Sequence, residues 1–156
     1  MDLHGYEMER LAGQCGFVTR KTPTDDIRAL IRKLHPVRGT QQGLIRLGPD
    51  GDGGYLVPDD LTGIEACFSP GVANISGFEK DCAERGMQVF LADKSVTDSA
   101  ETHPLFTFTP KFVGAITDDH FMTLDDWVNR SLQTTQSDLL LQMDIEEAEY
   151  ETILSI

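Results

Sequence analysis

From residue 64 onward, short apolar runs alternate with segments in which apolar residues recur at helical spacing. The sequence predicts strands within residues 64–69, 87–92, 106–115 and 138–144. It predicts helices over residues 76–85 and 123–129, and a further helix from Glu146 onward. Gly86 is placed to cap the first of these helices. Strands and helices that alternate along the chain predict an α/β fold with a parallel sheet and right-handed crossovers.

Two further elements precede the predicted sheet. Thr24 comes before two acids and an apolar set at helical spacing, which predicts an amphipathic helix over residues 24–34 with Thr24 at its cap. Residues 44–47 alternate like a strand, the turn-rich segment PDGDGG follows, and an apolar run resumes over residues 55–57, so a hairpin is expected. We therefore divide the chain into an N-terminal helical extension, residues 1–43, and a sheet-bearing part, residues 44–156.

The composition narrows the classes of partner. Thirteen Lys and Arg against 26 Asp and Glu give a formal net charge of −13, whereas binding to nucleic acid or to an anionic membrane surface needs a basic surface. The sequence shows neither the roughly 20 consecutive apolar residues of a membrane helix nor a signal-peptide pattern. The three cysteines are far apart and form no C-x-x-C pair, so a reduced, cytoplasmic protein is expected.

The segment IEACFSPGVANISGFEKDCAERGMQVFLAD combines a strand, a glycine-containing loop, a helix and a second strand that ends on an acid. In doubly wound folds such a loop turns beneath a cofactor, and Gly71 would let the backbone approach it without a Cβ clash. Asp93 stands at the end of the second strand, where an acid accepts hydrogen bonds from a ribose diol. The G-x-G-x-x-G fingerprint is absent, which disfavours a nicotinamide cofactor. S-Adenosylmethionine fits a looser loop, and an ordinary turn with a solvated strand end is the alternative.

Four segments of the chain, in this order, resemble the FkbM-type family of S-adenosylmethionine-dependent methyltransferases. RLGPDGDGGYLVPDDL is similar to an Asp-Gly-Gly-Tyr segment found in one branch of the family, and SPGVANISGFEK is similar to its Gly–Asn loop and following helix. MTLDDW resembles its Thr-Leu-Asp-Asp helix start. DLLLQMDIEEAEYETIL resembles its signature strand-to-helix turn, usually Leu-Leu-Lys-Ile-Asp-Val-Glu-Gly-Ala-Glu. The resemblance covers roughly residues 44–154.

This resemblance implies a Rossmann-like class I methyltransferase sheet and methyl transfer to a hydroxyl group of a sugar or another small molecule. The cofactor-binding residues it implies are Ser69, Gly71, Asn74, Glu79 and Asp93. It places Asp144 and Glu146 near the transferred methyl group, as catalytic residues. Asp144 would act as a general base or orient the hydroxyl, and it would alternatively cap the last helix. A divalent cation such as magnesium, held by such carboxylates, is a further alternative.

The chain departs from the family pattern at several positions. Ser69 stands where many members have an acid, and Glu147 replaces the glycine of the last motif. A noncatalytic domain that kept the fold but lost methyl transfer is therefore the first alternative function. A nicotinamide-dependent oxidoreductase is the second, disfavoured by the missing glycines.

The chain stops at Ile156, inside the last predicted helix. A class I methyltransferase sheet normally continues beyond its fourth strand, so we expect a sheet truncated at that strand, with its strands in the order third, second, first, fourth. We expect residues 1–156 alone to bind the cofactor weakly or not at all. The exposed edge of the fourth strand would also allow pairing with another chain, which makes an oligomer an expectation.

Overall fold

A computed structural model describes residues 22–37, 42–133, 137–146 and 148–155. The chain divides between residues 38 and 39 into two units, each of which is described by itself. The prediction that concerns Glu147 lies outside the described residues. The elements are, in chain order, α1 (Thr24–Lys33), β1 (Leu44–Leu47), β2 (Tyr55–Pro58), β3 (Ile64–Pro70), α2 (Gly77–Glu84), β4 (Gln88–Ala92), β5 (Phe106–Thr109), β6 (Phe112–Val113), β7 (Phe121–Met122), α3 (Leu124–Ser131), β8 (Asp138–Leu141) and α4 (Glu149–Leu154).

In the first unit, helix α1 forms where the apolar spacing predicts it. Its first turn carries Asp25 and Asp26 and its last turn Arg32 and Lys33, so charges at both ends favour the helix dipole. The N-cap, however, is Pro23, and no side chain caps the first turn. The prediction that Thr24 caps this helix is therefore wrong.

The second unit is built on a four-stranded parallel sheet with the order β5-β4-β3-β8. This is the expected order of third, second, first and fourth strands. β5 ends at Thr109, since Pro110 has no N–H to continue the ladder, and β5 lies at the edge of the sheet, where a neighbouring proline is tolerated. β8 ends at Leu141, earlier than the apolar pattern indicates.

Helix α2 connects β3 to β4 and ends as the sequence predicts. The Gly86 N–H donates to the Ala83 carbonyl at 2.9 Å, and the Met87 N–H donates to the Cys82 carbonyl at 3.3 Å. With Gly86 at φ 90°, this pair of hydrogen bonds is a Schellman motif. The glycine is needed because residues with a Cβ rarely adopt that backbone conformation.

The hairpin of β1 and β2 is confirmed, and it packs against the start of α2. The two strands pair antiparallel, with Leu47 opposite Tyr55. The Gly48 N–H donates to the Asp81 carboxylate of α2 at 2.7 Å. A Cβ at Gly77 would lie 2.9 Å from the Pro49 side chain, which shows how closely the hairpin approaches the helix.

A two-stranded ribbon after β5 is absent from the sequence prediction. β6 and β7 pair in parallel, with Phe112 opposite Phe121. The next helix, α3, begins where predicted. The Thr123 hydroxyl caps it by accepting a hydrogen bond from the Asp126 N–H at 3.2 Å.

The last helix starts later than the sequence predicts. α4 begins at Glu149 with Ala148 as its N-cap, whereas a start at Glu146 was expected. Glu146 has φ 53°, so its backbone is left-handed and cannot belong to a right-handed helix. The alternative in which Asp144 caps this helix is therefore wrong.

Apolar side chains cover both faces of the sheet, as a parallel sheet requires. One face packs β3 and β4 against α2, through a cluster that includes Cys67, Phe78, Cys82, Val89 and Leu91. The other face packs the sheet against the ribbon and α3, through a cluster that includes Phe68, Phe90, Val113, Met122 and Trp127. Within the part of the chain that the structure describes, no helix is long and apolar enough to cross a membrane.

Candidate functional site

A cavity of about 560 Å³ opens where β3, β4 and β8 end. The strand order runs from β3 through β4 to β5 on one side and then continues with β8 on the other side of β3, so it reverses beside β3. Ligands of open α/β sheets bind at such switch points. The residues that line the cavity are Asp52, Gly53, Tyr55, Gly71, Val72, Ala73, Asn74, Ile75, Glu79, Ala92, Asp93, Ser95, Phe112, Val113, Phe121, Gln142, Asp144, Ile145, Glu146 and Ala148.

The tertiary structure brings nearly all the sequence-predicted site residues together. The predicted residues in the lining are Gly71, Asn74, Glu79, Asp93, Asp144 and Glu146. Ser69 is fully buried and does not line the cavity. It lies behind the lining, in contact with Glu79 and Gln142.

Gly71 begins the loop that follows β3, with φ 86°. A Cβ at this position would overlap the backbone carbonyl of Asp144. The Gly71 N–H also donates to the Ala92 carbonyl at 2.9 Å, which ties the loop to the end of β4. Gly71 is thus required by the close approach of two backbone segments of the protein, and it also lines the cavity, where the sequence predicts a cofactor.

Asp93 holds the same loop from the other side. Its carboxylate accepts hydrogen bonds from the Ala73 N–H at 2.9 Å, the Ser95 N–H at 2.7 Å and the Ser95 hydroxyl at 2.6 Å. The residue is only 6% exposed. A carboxylate offers about four acceptor positions, so this one retains capacity for a single further donor.

Ser69, Glu79 and Gln142 form a polar cluster at the inner wall of the cavity. The Ser69 Oγ lies 2.5 Å from Glu79 Oε1 and 2.8 Å from Gln142 Oε1. Burial raises the pKa of Glu79 above its ordinary value near 4.5, and the hydrogen bond from Ser69 opposes that rise only in part. Gln142 follows β8 directly, and its N–H donates to the Phe68 carbonyl at 3.0 Å, which fixes its backbone.

Tyr55 is a site residue that sequence reasoning missed. Its hydroxyl donates to Asp144 Oδ2 at 3.1 Å, although the two residues are 89 positions apart. The ring of Tyr55 meets the Phe78 ring edge-on, with centroids 5.6 Å apart. Partial burial and the Asp144 carboxylate both raise the pKa of Tyr55, so its hydroxyl stays a hydrogen-bond donor at neutral pH. The only sequence signal for this residue is its place in the Asp-Gly-Gly-Tyr segment.

Two lining residues have a backbone conformation that non-glycine residues rarely adopt. Ala73 has φ 40° and Glu146 has φ 53°, and among the described residues no other non-glycine residue has a positive φ. Such conformations cost about 1–2 kcal/mol each and concentrate at functional sites. They lie on the two loops that follow β3 and β8, both of which line the cavity.

The ribbon forms one apolar wall of the cavity, and the rest of the lining mixes apolar residues such as Val72 and Ile75 with five acidic side chains. The ribbon contributes Phe112, Val113 and Phe121, with the two phenylalanine rings 5.6 Å apart between centroids. The five carboxylates in the lining are those of Asp52, Glu79, Asp93, Asp144 and Glu146. Among the described residues that line the cavity there is no Lys, Arg or His. The charge of the site is therefore strongly negative.

The acidic lining does not form a recognisable metal centre. Within residues 22–37, 42–133, 137–146 and 148–155, no group of three or more His, Cys, Asp or Glu side chains is placed to hold a metal ion. Glu79, Asp93 and Asp144 instead accept hydrogen bonds from protein donors, namely Ser69, Ala73 and Tyr55 respectively.

Comparisons of the chain with known protein families, with curated proteins and with solved structures find no match.

Proposed function

We propose that the chain binds S-adenosylmethionine in this cavity and transfers its methyl group to a hydroxyl oxygen of a sugar or another small molecule. The main support is the charge of the lining, with five carboxylates and no cationic side chain among the described residues. S-Adenosylmethionine carries a sulfonium and an ammonium group, which such a lining attracts. The pyrophosphate of a nicotinamide cofactor would be repelled by it. The resemblance to the FkbM-type family supports the same cofactor.

A contact between two departures from the family pattern also supports a retained site. Ser69 stands where many members have an acid. Gln142 is the third residue of the segment LLQMDIEEAE, where the signature Leu-Leu-Lys-Ile-Asp-Val-Glu-Gly-Ala-Glu has Lys. Their side chains lie 2.8 Å apart. In the family pattern these two positions would hold an acid and a lysine, which have opposite charges. In this chain both positions are neutral and hydrogen-bonded to each other, so neither leaves a buried charge without a partner.

The residues that would hold the cofactor lie on the two loops after β3 and β4. Asn74 lies in the first loop, and the apolar ribbon offers an aromatic wall to the adenine ring. Asp93 would accept one ribose hydroxyl through its remaining acceptor position while it keeps the loop in place. Because both tasks use the same carboxylate, its loss would affect loop structure and binding together.

Asp144 would receive the proton of the acceptor hydroxyl. When bound, the cofactor supplies a methyl group whose carbon–sulfur bond breaks, with both electrons going to sulfur, as the new oxygen–carbon bond forms. The Tyr55 hydroxyl engages Asp144 Oδ2, which orients the carboxylate and leaves Oδ1 for the substrate hydroxyl. Glu146, at the same end of the cavity, adds negative charge that favours the sulfonium ion.

The first test is binding of S-adenosylmethionine and S-adenosylhomocysteine, measured by saturation-transfer NMR so that weak binding is also detected. Because the chain by itself is expected to bind the cofactor weakly at most, we expect weak, saturable binding of both, no comparable binding of NADH, and loss of binding in Asp93→Ala. Asp59→Ala, which removes an exposed carboxylate outside the cavity, serves as the control. Tight binding of NADH alone would overturn the proposal. Binding without turnover across a panel of hydroxylated acceptors would favour the noncatalytic alternative.

A further inference from the structure

The Ser69 hydroxyl lies near two acceptor oxygens but can donate a hydrogen bond to only one of them. It carries one proton, yet its oxygen lies within hydrogen-bond distance of both Glu79 Oε1 and Gln142 Oε1. Two arrangements satisfy all three groups, and they differ in the position of one proton and in the orientation of one amide. The oxygen and nitrogen of a glutamine amide have nearly the same shape, so either orientation fits the same space.

In the first arrangement Glu79 is ionised. Ser69 then donates to the Glu79 carboxylate, and Gln142 turns its Nε2 toward Ser69 as a donor. The Gln142 oxygen consequently faces the cavity and offers it an acceptor. In the second arrangement Glu79 is protonated and donates to Ser69, which donates to Gln142 Oε1. The amide nitrogen then faces the cavity and offers it donors instead.

We propose that Gln142 is a ligand-contacting residue whose polarity toward the cavity is set by the proton on Glu79, transmitted through Ser69. Gln142 lines the cavity, and Ser69, which links it to Glu79, is fully buried. The consequence for the cofactor rests on the proposed function. The ammonium group of S-adenosylmethionine prefers the arrangement with ionised Glu79, in which Gln142 accepts a hydrogen bond and the lining carries one more negative charge. Cofactor binding is therefore coupled to the release of one proton.

The other groups near Glu79 favour a single titrating relay. Two other titratable groups interact with Glu79: the Tyr55 hydroxyl from β2 and the Cys67 thiol from β3, which also contacts the Cys82 thiol of α2. Both groups remain neutral near pH 7 because their pKa values are raised. The carboxylates that share the cavity with Glu79 are those of Asp52, Asp93, Asp144 and Glu146. Burial raises the pKa of Glu79 and so favours its protonated form, and the hydrogen bonds that its carboxylate accepts oppose this rise only in part.

The relay is tested first without ligand, by the side-chain amide signal of Gln142 in NMR spectra recorded from pH 4.5 to 8.5. The signal is assigned by its absence from Gln142→Met. We expect its shifts to follow one ionisation, and we expect that dependence to vanish in Glu79→Gln and in Ser69→Ala. Glu84→Gln, on the exposed face of the same helix, should leave it unchanged. A Gln142 signal with the same pH dependence in wild type and Glu79→Gln overturns the proposal.

The same proteins are then titrated with S-adenosylhomocysteine at each pH. We expect the wild-type affinity to rise with pH by up to about tenfold per pH unit across the ionisation, the limit for one coupled proton. Any pH dependence common to wild type and Glu79→Gln comes from other groups and is subtracted. After this subtraction, the affinity of Glu79→Gln should stay at the low-pH value of wild type at every pH. If S-adenosylhomocysteine does not bind at any pH while the Gln142 signal follows Glu79, the proposed function fails and the relay stands. If it binds with equal pH dependence in both proteins, the coupling fails and the proposed function stands.

Discussion

At the scale of single residues, the site depends on carboxylates that the protein itself already engages. Asp93 accepts three hydrogen bonds from the chain, and Asp144 accepts one from Tyr55. Glu79 is the most buried of the lining carboxylates, at 4% exposure. Each of these acids is oriented before any ligand arrives, which lowers the entropy that binding would cost.

Glu79 should make stability depend on pH. Burial raises the pKa of Glu79 in the folded protein. The contribution of protonated Glu79 to the free energy of unfolding is therefore fully present below its ordinary pKa near 4.5, and it is lost as pH rises through the raised pKa. Glu79→Gln, which removes the charge, should therefore gain stability relative to wild type between pH 5 and pH 8. Urea denaturation at each pH measures the difference. A deficit of the same size at every pH would show that the substituted amide merely fits poorly at this position.

At the scale of elements, the cavity exists because two loops meet at the end of the sheet. The loop after β3 turns at Gly71 directly beneath the backbone of Asp144, in the loop after β8. The Asp144 N–H donates in turn to the Pro70 carbonyl at 3.4 Å, which continues the β3–β8 pairing past the end of the strand. Ala73 and Glu146, with their left-handed backbones, lie one on each loop.

Gly71→Ala should be substantially more destabilising than a glycine substitution at a site with the same backbone angle and open space. Gly86 is the matched control, since its φ is 90° and a Cβ there meets nothing within 4 Å. In both variants an alanine with a left-handed backbone lowers the free energy of unfolding by about 1–2 kcal/mol. Overlap with the Asp144 carbonyl should add about 1–3 kcal/mol in Gly71→Ala alone. Equal free energies of unfolding in chemical denaturation would show that the two loops are not packed as described.

At the scale of the whole molecule, the sheet is stabilised by cores on both of its faces. Cys67 of β3 and Cys82 of α2 are fully buried in one of them, and their thiols contact each other. That contact and burial raise the pKa of Cys67, so the reactive thiolate is suppressed in the folded protein. Modification of these thiols therefore requires unfolding of the core.

Thiol labelling should consequently report global unfolding. In a Cys15→Ser background, we expect a water-soluble disulfide reagent to modify Cys67 and Cys82 roughly a thousandfold or more slowly in native buffer than in denaturant. The rate in native buffer should rise as urea approaches the unfolding midpoint. Rapid labelling of two thiols per chain without denaturant would contradict the described core.

Much of the architecture was readable from local pattern. Apolar runs marked all four strands of the sheet, Gly86 marked the end of α2, and Thr123 marked the start of α3. These features depend on side-chain periodicity and on backbone conformations of neighbouring residues, which the sequence states directly. The loop glycine Gly71 and the acid Asp93 were found for the same reason, because each ends or follows a recognisable strand.

Other features were decided only by the tertiary structure, because they depend on contacts between residues far apart in the chain. The sequence by itself determined the four strands of the sheet and the helices that connect them, the acidic charge and four of the five carboxylates in the lining. Only packing decided that the Tyr55 hydroxyl donates to Asp144 and that Gly71 faces the Asp144 backbone. Packing also decided that Ser69 lies within hydrogen-bond distance of both Glu79 and Gln142. A hydrogen bond forms where two elements converge within about 3 Å, and no local pattern specifies that convergence.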